Sequence, residues 1–297
     1  MKKLFTASIL ALIFLSASIC SAVDTVKIGV LAKRGPAKAM EKWRATGEFL
    51  TAKLPGKRFE IIPLGFDEVF HAVKNGDVDF FLVNSSMFVT AKVKYGAKEI
   101  LTIINSRQGE ALMSFGGVIF TRADNDAINS MADIKGKKFM AVKKSSFGGW
   151  QMAFKEFLDA GINPYKDFAS VEFGGSHDNV VMAVKKGTVD AGTVRTDTLE
   201  RMAAAGTIAM ADFKIIHKVN HKGFPFVCST RLYPEWPLAK VAGTPDALAL
   251  EVASALKTMK PKDKAAKAAK IVGWSDPLDY YGVEELQKEL KIGAYAQ

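Results

Sequence analysis

The chain has 297 residues, 48% of them hydrophobic, which is enough to bury one large core or two ordinary ones. Its net charge is +10, but the lysines are spread along predicted helices and do not alternate with aromatic residues, which argues against nucleic-acid binding. Beyond residue 22 it has one cysteine, Cys228, so we expect no intramolecular disulfide and a fold that depends on its core.

Residues 1–22 have the pattern of a secretory signal peptide. Lys2 and Lys3 precede an apolar run from Leu4 to Ile19, and small residues lead to a predicted cleavage after Ala22. The run is shorter than the roughly 20 apolar residues that a transmembrane helix needs. We therefore predict export to the periplasm.

From Val26 onward, short apolar runs alternate with amphipathic stretches, a pattern typical of an α/β protein with parallel strands. The chain also repeats itself. Residues 72–79, AVKNGDVD, recur at 183–190 as AVKKGTVD, and the same offset aligns residues 26–30 with 137–141. We therefore predict two similar, Rossmann-like α/β lobes.

The predicted elements can be placed in chain order. In the first lobe, strands are predicted at 26–31, 59–63, 78–83 and 100–104, and helices at 36–52, 67–74 and 84–95. In the second lobe, strands are predicted at 139–142, 170–173 and 189–194, and helices at 150–160, from 178, and at 197–205. Long strands at 113–121 and 224–230 are expected to cross between the lobes, and helices at 245–259, 262–272 and 283–290 to follow. Asn84, Asp67 and Asp178 are predicted N-caps, and Asp197 is expected to be committed to capping as well.

These elements predict a division of the chain. Residues 23–116 form the first part of lobe 1, residues 117–222 form lobe 2, and residues 223–297 return to pack on lobe 1. Hinge motion is expected near Gly116-Gly117 and Gly223.

Ligands of such sheets bind beyond the carboxyl ends of the strands, where helix N-termini offer free N–H groups. The loops at those positions carry cations, hydroxyls and one histidine. The candidate ligand-binding residues are Lys33, Arg34, Asn84, Ser85, Ser145, Ser146, His177, Arg195 and Thr196. No acid is expected to be free for a ligand amine, so the sequence predicts a small oxyanion held between the lobes.

Alternatives stay open at several of these positions. Ser145 and Ser146 could cap a helix, His177 could lie on the surface, and Arg195 could form a salt bridge between the lobes. Cys228 could bind a soft ligand such as an arsenic(III) species if it faced the cleft, but its apolar surroundings favour a buried thiol. No metal site is predicted, because the histidines lack ligand spacing, and no cofactor is predicted.

Several segments resemble the PhnD-like periplasmic binding proteins of the phosphonate, phosphite and phosphate type. They are KIGVLAKRGP, GGVIFTRAD, SFGGWQMAF, GGSHDNVVMAV, DAGTVRTDTLERM, STRLYPEWP and GWSDPLDY. The closest likeness is to the branch that forms sensor domains of tetrathionate-type histidine kinases. The resemblance implies the type II periplasmic-binding-protein fold, with two lobes and two crossing strands.

The resemblance also implies roles for individual residues. Ser145-Ser146 fall at a turn that grips the anion, and His177 matches a contributing histidine. The chain departs from the pattern at Phe147, a further candidate contact, and at Arg195, so that a sulfur oxyanion or another small anion fits as well as phosphonate.

The predicted function is therefore capture of a small anionic ligand for an ABC permease by a monomeric extracytoplasmic protein. The alternative is a soluble sensor subunit read by a membrane histidine kinase. No enzyme is predicted, because the sequence has no Ser-His-Asp arrangement, no paired cleft carboxylates and no phosphate-cradling glycine loop.

Overall fold

A computed structural model describes residues 24–296 of the chain. The predicted signal peptide, residues 1–22, lies outside the described residues. Within 24–296, no helix combines the length and the apolar character needed to cross a membrane.

The helices and strands alternate over most of the described chain. In chain order the strands are β1 (Asp24–Leu31), β2 (Lys57–Leu64), β3 (Phe80–Leu82), β4 (Lys98–Arg107), β5 (Glu110–Leu112), β6 (Ser114–Phe115), β7 (Gly117–Arg122), β8 (Lys138–Ala141), β9 (Ser170–Phe173), β10 (Ala191–Arg195), β11 (Phe213–Ile216), β12 (Tyr233–Pro234), β13 (Pro237–Lys240) and β14 (Ile271–Ser275). The α-helices are α1 (Pro36–Lys53), α2 (Val69–Asn75), α3 (Ser85–Tyr95), α4 (Met152–Asp159), α5 (Pro164–Asp167), α6 (His177–Lys185), α7 (Thr198–Ala204), α8 (Asp246–Lys257), α9 (Lys264–Ala269) and α10 (Tyr281–Leu290).

The first lobe is built on the sheet β14-β4-β13-β3-β1-β2, with β5 paired to β4. Strand β1 is parallel to β2 and β3, whereas β13 is antiparallel to both β3 and β4. It follows that β4 runs in the same direction as β1. The carboxyl ends of β1, β3 and β4 therefore lie at one edge of this sheet.

The second lobe is built on the sheet β11-β7-β10-β8-β9, in which β8, β9 and β10 are parallel. The predicted repeat is visible at matching positions of the two lobes. The backbone N–H of Lys27 donates to Asp79 at 2.7 Å, and that of Lys138 donates to Asp190 at 2.8 Å. Both bonds join the strands at the edge opposite to the carboxyl ends, which explains why the aspartate recurs.

The two crossings between the lobes lie close together. Strand β6 of the outgoing chain pairs antiparallel with β12 of the returning chain. The return strand predicted at 224–230 is wrong, because that segment has no regular strand. One backbone bond joins it to β7, from the N–H of Ser229 to the Gly117 carbonyl at 2.8 Å, and two hydroxyls add to it. Ser229 accepts from the backbone of Ile119 and Thr230 accepts from that of Gly117, each at 2.9 Å.

The predicted helix at 262–272 is also too long. Helix α9 ends at Ala269, Lys270 adopts a left-handed conformation with φ 52°, and the chain then enters β14. Strand β14 pairs with β4 and covers an edge that would otherwise be open.

Helix capping follows the predictions only in part. Asn84 caps α3 as predicted, accepting from the backbone N–H of Met87 at 3.0 Å. The predicted caps Asp67 and Asp178 are wrong: Glu68 precedes α2 and Ser176 caps α6. Both aspartates instead form ion pairs across the lobes, Asp67 with Lys143 at 3.4 Å and Asp178 with Arg34 at 3.1 Å.

Candidate functional site

A cleft of about 510 Å³ lies between the lobes. The first lobe contributes the loop after β1, the start of α1 and the carboxyl end of β4. The second lobe contributes the ends of β10 and α7 and the first residue of α6. The cleft therefore lies beyond the carboxyl ends of parallel strands, where α/β proteins bind ligands.

Positive charge dominates the wall of the cleft. Eight basic residues line it, Lys33, Arg34, Lys38, Lys42, Arg107, Arg195, Arg201 and Lys270, against two acids, Glu41 and Asp197. Several of these cations are paired, including Arg107 with Asp197 and Lys38 with Glu41. The surplus is still large enough to favour an anion over a neutral or cationic ligand.

Arg195 is the most heavily paired of these cations. Its guanidinium donates to Glu235 at 2.7 Å, contacts Asp197 at 3.3 Å and lies 4.4 Å from the centre of the Phe115 ring. Burial opposes its charge, but the two carboxylates raise the pKa of Arg195 above its ordinary value. In the structure Arg195 therefore forms salt bridges, which was the alternative to ligand contact at this position.

Two lysines of the cleft differ from Arg195 because they have no carboxylate partner in the described part of the chain. Within residues 24–296 neither Lys33 nor Lys42 forms an ion pair, and the Lys33 ammonium lies 5.0 Å from the centre of the Trp236 ring. Burial and the neighbouring Arg195 lower the pKa of Lys33 to about 7. Burial, followed by Arg107 and Lys33, lowers the pKa of Lys42 well below its ordinary value. An anion placed beside these amines would stabilise their charged forms.

His177 is buried at the start of α6 and borders the cleft. Burial, then Lys33 and Arg195, lowers the pKa of His177 well below its ordinary value, so the imidazole is neutral at neutral pH. Its Nδ1 accepts a hydrogen bond of 3.3 Å from the backbone N–H of Arg195. This bond leaves the ring proton on Nε2, where it can be donated to an anion.

Four of the ten predicted contact residues border the cleft: Lys33, Arg34, His177 and Arg195. The other six do not. Asn84 donates to the Ser145 carbonyl at 3.2 Å, which ties the two lobes together. Ser85 donates to the Pro234 carbonyl at 2.6 Å, and Thr196 accepts from the backbone of Gly116 at 3.2 Å.

The predicted anion-gripping turn is closely packed. Ser146 is buried, and Phe147 packs edge-on against Phe115 and Tyr233, with ring centres 6.0 and 4.9 Å apart. A single π-helical turn, Phe147–Gln151, follows the serines and leads into α4. Contact between a ligand and the Ser145-Ser146 turn stays a prediction.

Sequence reasoning missed part of the wall. Trp43, Asn105, Arg107 and Trp236 all border the cleft but lie outside the loops of the repeat. One signal was available, because Asn105 and Arg107 follow directly on the strand predicted at 100–104. The strand's direction, which places them at the ligand edge, depends on pairing between distant segments.

The expectation about acids also needs correction. Asp197 lines the cleft without capping α7 through its side chain, and Glu235 is buried behind Arg195. Although burial opposes their ionisation, Arg195 and Arg107 hold the pKa of both carboxyls below the ordinary value. Their ion pairs are with arginines, and neither carboxylate pairs with Lys33 or Lys42 within residues 24–296.

Comparison with known proteins identifies the family. Residues 28–279 match the family of periplasmic substrate-binding proteins of phosphonate ABC transporters. The chain is 32% identical over 268 residues to the tetrathionate sensor histidine kinase TtrS of Salmonella typhimurium, covering 90% of this chain and 44% of the kinase. It is 26% identical over 237 residues to the phosphate-import protein PhnD of Mycolicibacterium smegmatis, covering 75% of this chain and 67% of that protein.

Among solved structures, PhnD1 of Prochlorococcus marinus in complex with methylphosphonate superposes with a TM-score of 0.72 at 16% identity, covering 91% of this chain and 99% of that one. The chain thus has the two-lobed fold of the type II periplasmic binding proteins, and the predicted fold is confirmed. The chain belongs to the phosphonate-type family of these proteins. It spans less than half of the length of the sensor kinase that it matches.

Proposed function

We propose that the protein binds a small oxyanion, of the phosphonate, phosphite, phosphate or sulfur-oxyanion type, in the cleft between its lobes. The positive surplus of the cleft carries this proposal, because eight basic residues face two acids. We propose binding without chemical change, by a monomer that presents the ligand to an ABC permease.

The free lysines support an anion more strongly than the arginines do. Arg195 and Arg107 already have carboxylate partners, so much of their charge is compensated. Lys33 and Lys42 are partly buried, and each ammonium lies over an aromatic ring without an ion-pair partner in the described part of the chain. Burying an ammonium without a counter-ion is unfavourable, and a bound anion would relieve that penalty.

A neutral hydrogen-bond donor supplements the positively charged residues of the cleft. The Nε2–H of His177 is available for donation, since Nδ1 is occupied by the backbone of Arg195. A combination of ammonium groups and one fixed N–H suits an oxyanion, whose oxygens accept several hydrogen bonds at once. The same wall has no uncompensated carboxylate among its buried residues for a ligand amine.

The proposal is tested by a thermal-shift screen followed by calorimetry. The probes are phosphate, phosphite, methylphosphonate, sulfite, thiosulfate and tetrathionate, with glucose and arginine as neutral and cationic comparisons. We expect an oxyanion to raise the unfolding temperature and glucose and arginine to leave it unchanged. The double variant Lys33→Met, Lys42→Met should weaken oxyanion binding at least tenfold, while Lys264→Met, at an exposed position on α9, should not. Stabilisation by glucose or arginine alone would contradict the proposal.

A second candidate function is a soluble sensor subunit that presents its bound anion to a membrane histidine kinase. The identity of 32% to a sensor kinase over 90% of this chain favours it. Deleting the protein from cells that make it separates the two functions. Loss of uptake of the radiolabelled anion supports transport, whereas intact uptake with loss of an anion-induced transcript supports sensing.

A further inference from the structure

Asn105 is a buried amide for which the fold has no evident use. It lies on β4, where strand alternation places Ile103, Asn105 and Arg107 on one face, and all three border the cleft. Its exposure is 1%. Neither its Oδ1 nor its Nδ2 has a hydrogen-bond partner within residues 24–296.

Another buried amide of the same lobe shows how structural amides behave here. Gln287 of α10 is fully buried, and its Nε2 donates to the Ser86 carbonyl at 2.6 Å and to the Ser86 hydroxyl at 2.7 Å, while its Oε1 accepts from the backbone of Ala294 at 3.0 Å. Buried amides that serve the fold are normally satisfied in this way. Asn105 is not, and the cleft is the space that it borders.

The surroundings of Asn105 indicate what would meet it. Strand β4 runs parallel to β1, so Asn105 lies at the same sheet edge as the cation Lys33. Trp43 and Trp236 border the same cleft. The cleft thus combines basic residues, aromatic side chains and an amide that offers both donors and an acceptor.

We propose that Asn105 is a specificity-determining residue that recognises a second polar group of the ligand, in addition to the oxyanion. The ligand class is then an extended oxyanion with a further hydrogen-bonding group, rather than a compact ion such as phosphate. The cleft volume of about 510 Å³ agrees with this, because sites of about 300–1,000 Å³ take ligands much larger than a single oxyanion. This inference rests on the proposed oxyanion binding.

The test compares matched pairs of probes by calorimetry on the full mature chain. The pairs are methylphosphonate with 2-hydroxyethylphosphonate, and thiosulfate with tetrathionate. We expect the wild-type protein to bind the extended member of at least one pair at least tenfold more tightly. Asn105→Leu, which has a similar volume and no hydrogen-bonding group, should remove that preference and change the affinity for the compact member less than threefold.

Two further variants control for effects other than the loss of the amide at the cleft. Asn105→Ala should have the same effect on selectivity. It controls for any disturbance of packing by the leucine side chain. Thr193→Val is the matched control, because the Thr193 hydroxyl is also buried and without a partner in the described part of the chain, but does not border the cleft. It should leave the preference intact.

The outcomes separate the inference from the proposed function. If the wild-type protein binds no oxyanion, the proposed function fails. If it binds oxyanions but shows no preference for the extended probes, or keeps that preference in both Asn105 variants, only the present inference is overturned. Equal loss of preference in Thr193→Val would also overturn it, since the effect would not depend on contact with the cleft.

Discussion

The guanidinium of Arg195 donates a hydrogen bond of 2.7 Å to the carboxylate of Glu235, and the two side chains are 6% and 1% exposed. The pair joins the end of β10 in the second lobe to the residue after β12 in the returning chain. It thus lies next to the paired crossings β6 and β12, and it stabilises the junction on which the cleft is built.

Removing Glu235 should destabilise the protein strongly. In Glu235→Gln the buried guanidinium loses its nearer carboxylate, and breaking a buried ion pair by removing one partner costs roughly 3–5 kcal/mol. Asp197 still contacts Arg195, so we expect about 3 kcal/mol, measured by urea unfolding. The control is Glu60→Gln, which breaks an exposed pair with Arg58 and should cost less than about 1 kcal/mol. Equal losses in the two variants would contradict the role given to Glu235.

Anion binding should weaken as the pH rises above about 7. Burial and Arg195 lower the pKa of Lys33 to about 7, so above that pH the amine of the free protein is neutral. A bound anion favours the ammonium form, and binding must then take up a proton. Affinity should fall by up to about tenfold per pH unit until the pKa of the complex is reached, as measured by calorimetry between pH 6 and 9.

Lys33→Arg provides the control for that dependence, because a guanidinium stays charged throughout the range. Its affinity should vary less with pH than that of the wild type. The stability of the free protein should respond with the opposite sign. Between pH 7 and about 10 the unfolded lysine holds a proton that the folded one lacks, so this residue's contribution to stability should rise with pH. A pH slope unchanged in Lys33→Arg would show that another group takes up the proton.

Gly148→Ala should disturb the contact between the π-helical turn and the first crossing. A Cβ at this position would lie 2.8 Å from the Cβ of Arg195 and 3.2 Å from the carbonyl oxygen of Gly116. Neither neighbour is a flexible side-chain end, so we expect a loss of about 1–3 kcal/mol in the free energy of unfolding. Gly243→Ala, whose Cβ would meet no atom within 4 Å, should be nearly neutral. A neutral Gly148→Ala would mean that the crossing adjusts freely.

Cys228 should be inert in the folded protein. Its thiol donates to the Thr230 carbonyl at 3.1 Å, it does not border the cleft, and burial raises its pKa. Alkylation by iodoacetamide, followed by mass spectrometry of the peptide that contains Cys228, should be much slower than for glutathione and should become comparable in urea. Arsenite should therefore produce no Cys228-dependent thermal shift. Rapid alkylation of the native protein would contradict the buried position of this thiol.

Much of the framework could be predicted from local patterns. The run that became β3 is continuously apolar because this strand is buried in the middle of its sheet. The repeated aspartates Asp79 and Asp190 mark one structural unit used twice, with the same backbone bond in each lobe. Strands β12, β13 and β14 were not predicted, since short segments are defined by the partners that they pair with rather than by their own composition.

The sequence predicted the chemical character of the candidate site better than it predicted which residues form the site. Lys33 and His177 follow a strand or open a helix at the ligand edge, and local rules place them there. Asn105 and Arg107 reach the same edge only because β13 reverses direction between β3 and β4. Ser85 and Thr196 satisfy the same local rules, yet their hydroxyls are used within the protein.

The sequence by itself determined that this is a two-lobed α/β protein with a cationic ligand edge, because hydrophobic periodicity, repeats and charge are properties of neighbouring residues. Only the tertiary structure decided which cations are free. Arg195 is compensated by Glu235, 40 residues further along the chain, whereas Lys33 meets the ring of Trp236 and no carboxylate within residues 24–296. Charge compensation depends on distances between segments that are far apart in the chain, and those distances exist only in the folded protein.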